Sequence, residues 1–332
     1  MKILVTGSNG NIGAHIVREL LRQTQGHEII GYGRQPVSIH PSSVRYIRGD
    51  RSDTKQFIEV MKQLRPDIVF EMTSFTPQHA KAGLEAFAGV KQLIVASTVC
   101  TYGKDFIRYP LEESDPYSPW TDYGIQKQKA DEAYLEAWKK DGFPVTIMKP
   151  CTSFSGMSGV LRSFATEHTW IDRVLKDKPI LICADGNILH QYMHTKDTAN
   201  AFVSVMDNAA CLGQIYNIAP DGYTTWRQFH QAAMDVLGHQ VELIPLSLTH
   251  MMSIDPDRFV LAYEIFGQHT YVSNQKLKRH VPNWRPEISL EDSLEMSFRG
   301  MKERGTIPDS SSSTWEDDII AKVLAFRESF RR

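Results

Sequence analysis

Lys2-Ile3-Leu4-Val5-Thr6-Gly7-Ser8-Asn9-Gly10-Asn11-Ile12-Gly13 opens the chain with a short apolar run that breaks into a turn with regularly spaced glycines. Beyond it Ile12, Ile16, Val17, Leu20 and Leu21 recur at helical spacing, and Gly26 stops the pattern. Strand, turn and helix therefore follow in that order, and each glycine has its own task. Gly7 makes the tight turn, Gly10 lets backbone approach a pyrophosphate, and Gly13 lets the helix pack on the strand. A helix N-terminus adds free N–H groups and partial positive charge, so the stretch reads as a phosphate cradle for a dinucleotide.

Alternation continues downstream. Glu28 to Gly33, Val44 to Arg48, Asp67 to Phe70 and Gln92 to Ala96 read as strands. Helical stretches from about Thr54 to Leu64 and Gln78 to Phe87 lie between the later ones. Such alternation implies an α/β fold with a parallel, doubly wound sheet and right-handed crossovers. At the tip of the second strand, where an NAD site places an acid on the ribose hydroxyls, stand Gly33 and Arg34. Glycine leaves room for a 2'-phosphate and a guanidinium can pair with it, which favours NADP, with NAD as the alternative. Asp50, after Gly49, either accepts from an adenine amino group or caps its own turn.

The fifth strand ends in Ser97-Thr98-Val99-Cys100-Thr101-Tyr102-Gly103, hydroxyl residues at the edge where open α/β sheets bind ligands. Further on, Tyr123 and Lys127 are four residues apart in a helical run and share one face. An ammonium beside a phenol lowers its pKa from about 10, which suits proton exchange with a substrate oxygen.

Thr6 to Gly13 fits T-G-x-x-G-x-x-G, Ser97 to Gly103 fits S-[ST]-x-x-x-Y-G, and Tyr123 to Lys127 fits Y-x-x-x-K. With Lys149-Pro150, the segment Asp185-Gly186 through His194-Thr195-Lys196-Asp197-Thr198-Ala199, and Tyr216-Asn217-Ile218, nearly the whole chain resembles the extended short-chain dehydrogenase/reductase family. The resemblance implies a Rossmann fold and a catalytic set of Thr98, Tyr123 and Lys127. Tyr123 would be the general acid/base, Lys127 would hold the nicotinamide ribose, and Thr98 would bond the reacting oxygen. With the residues read above it also implies cofactor contacts from Gly7, Asn9, Gly10, Asn11, Ile12, Gly13, Arg34, Asp50, Tyr123, Lys127 and Pro150.

Departures from the family pattern narrow the chemistry. Val99-Cys100 stands where family dehydratases carry Asp-Glu, which removes the acid and base for eliminating water. His190-Gln191-Tyr192 replaces the arginine that sugar-nucleotide members use on pyrophosphate, and His190 is either a weaker, pH-dependent phosphate contact in the substrate site or a loop imidazole. The compressed span between the fourth and fifth strands resembles a branch that includes chloroplast stem-loop-binding proteins, some of which bind RNA.

With 37 basic and 39 acidic residues interspersed among 332, the chain shows no basic stripe for nucleic acid. No apolar run is long enough to span a bilayer and no signal peptide is evident, so a cytoplasmic, membrane-free protein is expected. Cys100, Cys151, Cys183 and Cys211 are too scattered for a metal site and read as free thiols.

Residues 1–150 are expected to form the NAD(P)-binding domain, joined by returning segments near 190–220, with most of 151–332 a substrate-binding lobe. A helix is expected from Val160 to Lys176, with Phe164 and Trp170 in the core, and His194 and Asp197 at a structural corner. Thr225, Ser289 and Thr314 begin helices, and Pro308 to Ser313 reads as a mobile polar linker. The whole points to an NADP-preferring oxidoreductase that moves hydride at a secondary alcohol or ketone of a sugar-like or other small substrate. An epimerase using the same three residues is the alternative, and an RNA-binding protein on this scaffold is the alternative of another class. The resemblance also allows a helix-mediated homodimer.

Overall fold

The computed structural model describes residues 1–23, 26–106, 108–164 and 167–330. It resolves into two compact units. The first comprises Met1–Ser153, Thr195–Asp221 and Val272–Glu287. The second comprises Phe154–His194, Gly222–Tyr271 and Ile288–Arg332.

The first unit is built on a seven-stranded parallel sheet. Its strands are β1 (Lys2–Thr6), β2 (Glu28–Gly33), β3 (Arg45–Arg48), β4 (Ile68–Glu71), β5 (Gln92–Ala96), β6 (Val145–Pro150) and an edge strand, Gln214–Ile218. In space they run from that edge strand through β6, β5, β4, β1 and β2 to β3. Ile3, Leu4 and Val5 are fully buried, as are Ile68, Val69 and Phe70, because helices cover both faces of a parallel sheet. The sheet is the Rossmann fold expected from the alternation.

Strand order reverses between β1 and β4, and doubly wound sheets bind ligands at the carboxyl ends flanking that reversal. There the chain leaves β1 through Gly7 and leaves β4 through Met72 and Thr73. Helix α1 (Asn11–Gln23) buries Ala14, Ile16, Val17 and Leu20 and packs on the helix Thr195–Ser204. Helices α2 (Thr54–Leu64) and α3 (Pro77–Ala86) are each held at the start by a side chain, Asp53 accepting from the Gln56 N–H and Thr76 from the His79 N–H. Helix α4 (Asp122–Asp141) is capped by Thr121 and ends at Gly142, whose φ of 68° suits the left-handed C-cap. Tyr123 and Lys127 lie in its first two turns.

The second unit gathers Phe154, Trp170, Trp226, Phe229 and Phe298 in one core, below a short parallel pair, Ile180–Cys183 with Leu243–Leu246. Thr225 forms the expected capping box with Gln228. Two expectations need correction. The helix expected from Val160 forms only over Thr169–Leu175. Upstream of it Arg162 and Ser163 are fully buried, and their hydrogen bonds to Glu316, Leu181 and Cys183 hold the segment outside helical geometry; Ala165 and Thr166 lie outside the described residues. The serine run is pinned, with the Ser310 N–H donating to Asp172 and Asp309 pairing with Lys176. Thr314 begins the helix Trp315–Ser329 as expected, at its N-cap position and without a side-chain cap bond. No helix among the described residues is long and apolar enough to cross a membrane. The four cysteines are free thiols, three of them buried.

Candidate functional site

Two clefts in the first unit, of about 440 and 420 Å3, share Gly7, Gly10, Thr73 and Phe75 in their walls. The glycine turn between them is sterically specified. Gly7 has φ of 59°, and the Gly10 N–H donates to its carbonyl at 2.8 Å. A Cβ on Gly13 would stand 2.3 Å from that same oxygen, so only glycine lets α1 come this close. The cradle thus fits a pyrophosphate over the first turn of α1. Asn9 donates its side-chain N–H to the Val37 carbonyl at 2.9 Å, fixing the loop after β2. Asn11 accepts from the Thr195 hydroxyl at 3.2 Å, and Ile12 and Pro150 line the smaller cleft.

The larger cleft runs past the ends of β2 and β3. Gly33, Arg34 and Asp50 all line it, and the Arg34 side chain is exposed. Asp50 accepts from the Ser52 N–H at 2.8 Å and its hydroxyl at 2.7 Å. These bonds and the nearby Arg34 charge hold its carboxyl below the usual range. The turn-capping role is therefore present, and the carboxylate remains at the cleft wall.

The smaller cleft brings Thr98, Tyr123 and Lys127 together with Gly7 and Gly13. Thr98 follows β5 and its hydroxyl oxygen accepts from the Cys100 N–H at 3.2 Å. Lys127 is almost wholly buried and donates to the carbonyls of Ser74 at 2.8 Å and Ala96 at 2.5 Å. Burial lowers its pKa to about 8, against the opposing pull of Asp131 and Glu71. The tuning expected of Lys127 is not what governs Tyr123. Burial of the hydroxyl end, then the neighbouring Cys100 thiol, raises the phenol to about 12, and the Thr98 hydroxyl is the group that lowers it. Lys127 donates two of its N–H groups to backbone carbonyls, and the hydrogen-bond partner of the Tyr123 hydroxyl is Thr98.

Sequence reasoning missed two buried networks beneath these clefts. Lys149 pairs with Asp131 at 2.5 Å and donates to Thr101 at 2.8 Å, while Ser97 donates to the same carboxylate at 2.6 Å. That network anchors the hydroxyl cluster at the end of β5. Glu71, at the end of β4, accepts from Thr6 at 2.7 Å and from both the N–H and the hydroxyl of Thr73, with Arg51 at 3.4 Å. A glutamate closing an otherwise apolar strand was the available signal. Among the described residues no group of three His, Cys, Asp or Glu side chains could hold a metal.

Residues 3–219 match the model of the NAD dependent epimerase/dehydratase family, about two thirds of the chain. The chain belongs to that family. It comprises NAD-dependent epimerases, dehydratases and reductases of the extended short-chain dehydrogenase/reductase type. Among relatives, 2'-dehydrokanamycin reductase of Streptomyces kanamyceticus is 23% identical over 238 residues, covering 72% of this chain and 67% of that protein. The chloroplast stem-loop binding protein of 41 kDa b of Arabidopsis thaliana is 25% identical and covers 98% of this chain and 86% of its own. The crystal structure of UDP-glucose 4-epimerase from Thermotoga maritima superposes with a TM-score of 0.73 at 19% identity, over 92% of this chain and 99% of that one.

In this epimerase/dehydratase family member His190 is not a cleft residue. It is buried in the second unit, its ring stacked on Trp226 at 5.4 Å and flanked by Tyr192 and Phe266. Burial lowers its pKa to about 4, so it stays neutral at pH 7 and offers phosphate no charge. His230, on the other side of Trp226, is lowered to about 3 by burial and by Arg162. Between the unfolded value near 6.5 and these folded values, the unfolded chain binds protons that the folded chain refuses. Stability is therefore full above about pH 6.5 and falls as the pH drops toward 4, by about 2 kcal/mol per ring at pH 5. Urea midpoints at pH 7 and pH 5 read this loss, and His190→Phe should halve it. An unchanged midpoint would place these rings in water. His194 and Asp197 form the expected corner, Asp197 accepting from the Glu287 N–H at 3.0 Å.

Proposed function

We propose that the chain is an NADP-preferring reductase that adds hydride to the carbonyl of a sugar-like or other small substrate. What carries this reading is the convergence of Thr98, Tyr123 and Lys127 in one cleft with the glycine cradle. A bound nicotinamide would supply the hydride. Gly7 to Gly13 and the first turn of α1 would hold its pyrophosphate, Arg34 its 2'-phosphate, and Lys127 a ribose hydroxyl with its remaining N–H. Tyr123, protonated throughout the neutral range, hands its phenolic proton to the substrate oxygen as the carbonyl carbon accepts hydride, so a ketone becomes a secondary alcohol. Thr98 donates a hydrogen bond to the same oxygen and fixes its place against the phenol. With its pKa raised to about 12, Tyr123 is a weaker acid than a free phenol, yet it carries its proton at neutral pH, as reduction requires, while the phenolate that would serve oxidation as a base is scarce.

The cofactor choice is tested at Arg34. Arg34→Ala is expected to weaken NADPH at least tenfold, the loss of one charge-assisted phosphate contact, and to leave NADH nearly unchanged. Isothermal titration with both reduced cofactors measures it, and equal losses would remove the NADP preference. Net consumption of NADPH separates a reductase from an epimerase, which returns its hydride. RNA binding is a second reading, favoured by the stem-loop binding relative that spans nearly the whole chain. Salt-sensitive retention of a hairpin RNA without cofactor binding would establish it instead.

A further inference from the structure

The helix Trp315–Ser329, with Phe330 at its C-cap, carries an apolar stripe that is buried at its start and bare at its end. At about 100° per residue Trp315, Ile319, Phe326 and Phe330 fall within about 60° of one another, so all four face one side. Ile319 is 7% exposed, and Trp315 packs edge-on against Phe164 and Phe259. Phe326 and Phe330, further along the same side, are 64% and 75% exposed and touch each other, their ring centroids 4.8 Å apart. The helix thus outruns the core of the second unit, and its last turns hold a pair of phenyl rings in water.

The start of the same helix flanks a groove of about 560 Å3. Phe164, Val260 and Leu261 give the groove its apolar wall, with the carboxylates of Glu167, Asp255 and Asp257 around them. Arg258, the basic residue of that wall, is already paired with Asp255 at 3.2 Å and laid over the Trp315 ring at 4.3 Å. Asp257 is exposed, with no ion pair among the described residues. The far end of the helix has the opposite balance. Arg327 stands in its last turn, and Arg331 and Arg332 follow Phe330 in sequence, against one acid, Glu328. An acidic apolar groove and a basic aromatic knob therefore lie about 22 Å apart, the length of a 15-residue helix. Within one copy the knob cannot reach the groove, because one rigid helix holds both.

We infer that this helix pairs with its counterpart in a second copy of the chain, antiparallel about a two-fold axis, so that the Phe326–Phe330 knob of each copy seats in the groove beside Trp315 of the other. An axis through the middle of the helix brings the end of each helix next to the start of its partner, which places both knobs at both grooves in one step. Charge agrees, since arginines meet carboxylates at each contact. Area decides between two contacts and one. Four rings and the surfaces that receive them bury about 1,000 Å2, the low end of stable interfaces, and a single knob in a single groove buries about half of that. One-way docking would also leave a free knob and a free groove at the ends and propagate into filaments. The surface belongs to the second unit and not to the helices that flank the sheet, and it is independent of the cofactor reading.

Sedimentation velocity of the full chain at micromolar concentration tests the pairing. Wild type should have twice the mass of the double variant Phe326→Ser with Phe330→Ser, and that ratio holds whether or not other faces also associate. Asp257→Arg, altered at the far end of the helix from the rings, should halve the mass as well, because it sets a cation against the arginines of the knob. All three positions are exposed, so both variants should keep the wild-type melting temperature. Equal masses for wild type and the double variant, or a full wild-type mass in Asp257→Arg, would overturn the inference. So would a wild type that sediments at the mass of the variants and binds vesicles of phosphatidylcholine and phosphatidylglycerol through the two rings, which would make the knob a lipid anchor.

Discussion

Tyr123→Phe is expected to lower the turnover of NADPH by about 10²–10⁴-fold, the range a positioned general acid contributes. The substitution removes one hydroxyl from a ring that stays in place at the start of α4. Cofactor affinity should hold within a few-fold, because the phosphate cradle and Lys127 are untouched. The pH profile supplies a second signature. Lys127 loses its proton near pH 8 and Tyr123 only near 12, so reduction in the wild type should decline first as Lys127 neutralises. The sign follows from the direction of the proton: carbonyl reduction needs the phenol protonated, which it is at every lower pH. Retained turnover in Tyr123→Phe would assign the proton to another group.

Glu316→Ala should be among the most destabilising single changes in the second unit, at about 3–5 kcal/mol, the cost of breaking a buried ion pair on one side. Glu316 is 1% exposed and receives two bonds from Arg162, at 2.6 and 2.8 Å, and one from the Leu181 N–H at 2.7 Å. Arg173 stands 3.5 Å away. Without the carboxylate two buried guanidinium groups are left to the partly exposed Glu167 and Asp317. Urea unfolding, followed by the fluorescence of Trp170, Trp226 and Trp315, measures the loss. The double variant Arg162→Met with Glu316→Leu should recover most of it, since apolar replacement of a buried pair is often neutral. A loss under about 1 kcal/mol in Glu316→Ala would show the clasp to be solvated.

The contrast between these two residues shows what a single chain discloses. Tyr123 was legible because its chemistry is local: a helix places residues four apart on one face, and the glycine turn announces what that face meets. The seven-stranded sheet was legible for the same reason, each strand being a short apolar run bounded by turn residues. Glu316 was not, because its partners lie 154 residues earlier, at Arg162, and 135 earlier, at Leu181. Period alone cannot tell a loop tied down by long-range charge from a helix, and so the helix expected from Val160 begins only at Thr169. His190 shows a further limit. A histidine in a polar-looking segment reads as a ligand until its aromatic neighbours, gathered from Tyr192, Trp226 and Phe266, are known. Arg51 and Glu71 were passed over because each, taken singly, is an ordinary charge at a strand end. Only the sheet brings them within 3.4 Å.

The central claim is that the cleft over β1 and β4 holds a nicotinamide dinucleotide beside Tyr123. Titrating the full chain and Tyr123→Phe with NADPH, and following nicotinamide fluorescence, tests it most directly. Saturable one-site binding in both proteins, displaced by NADP, is the expected result. No saturable binding of NADPH or NADH to the wild-type chain would contradict it.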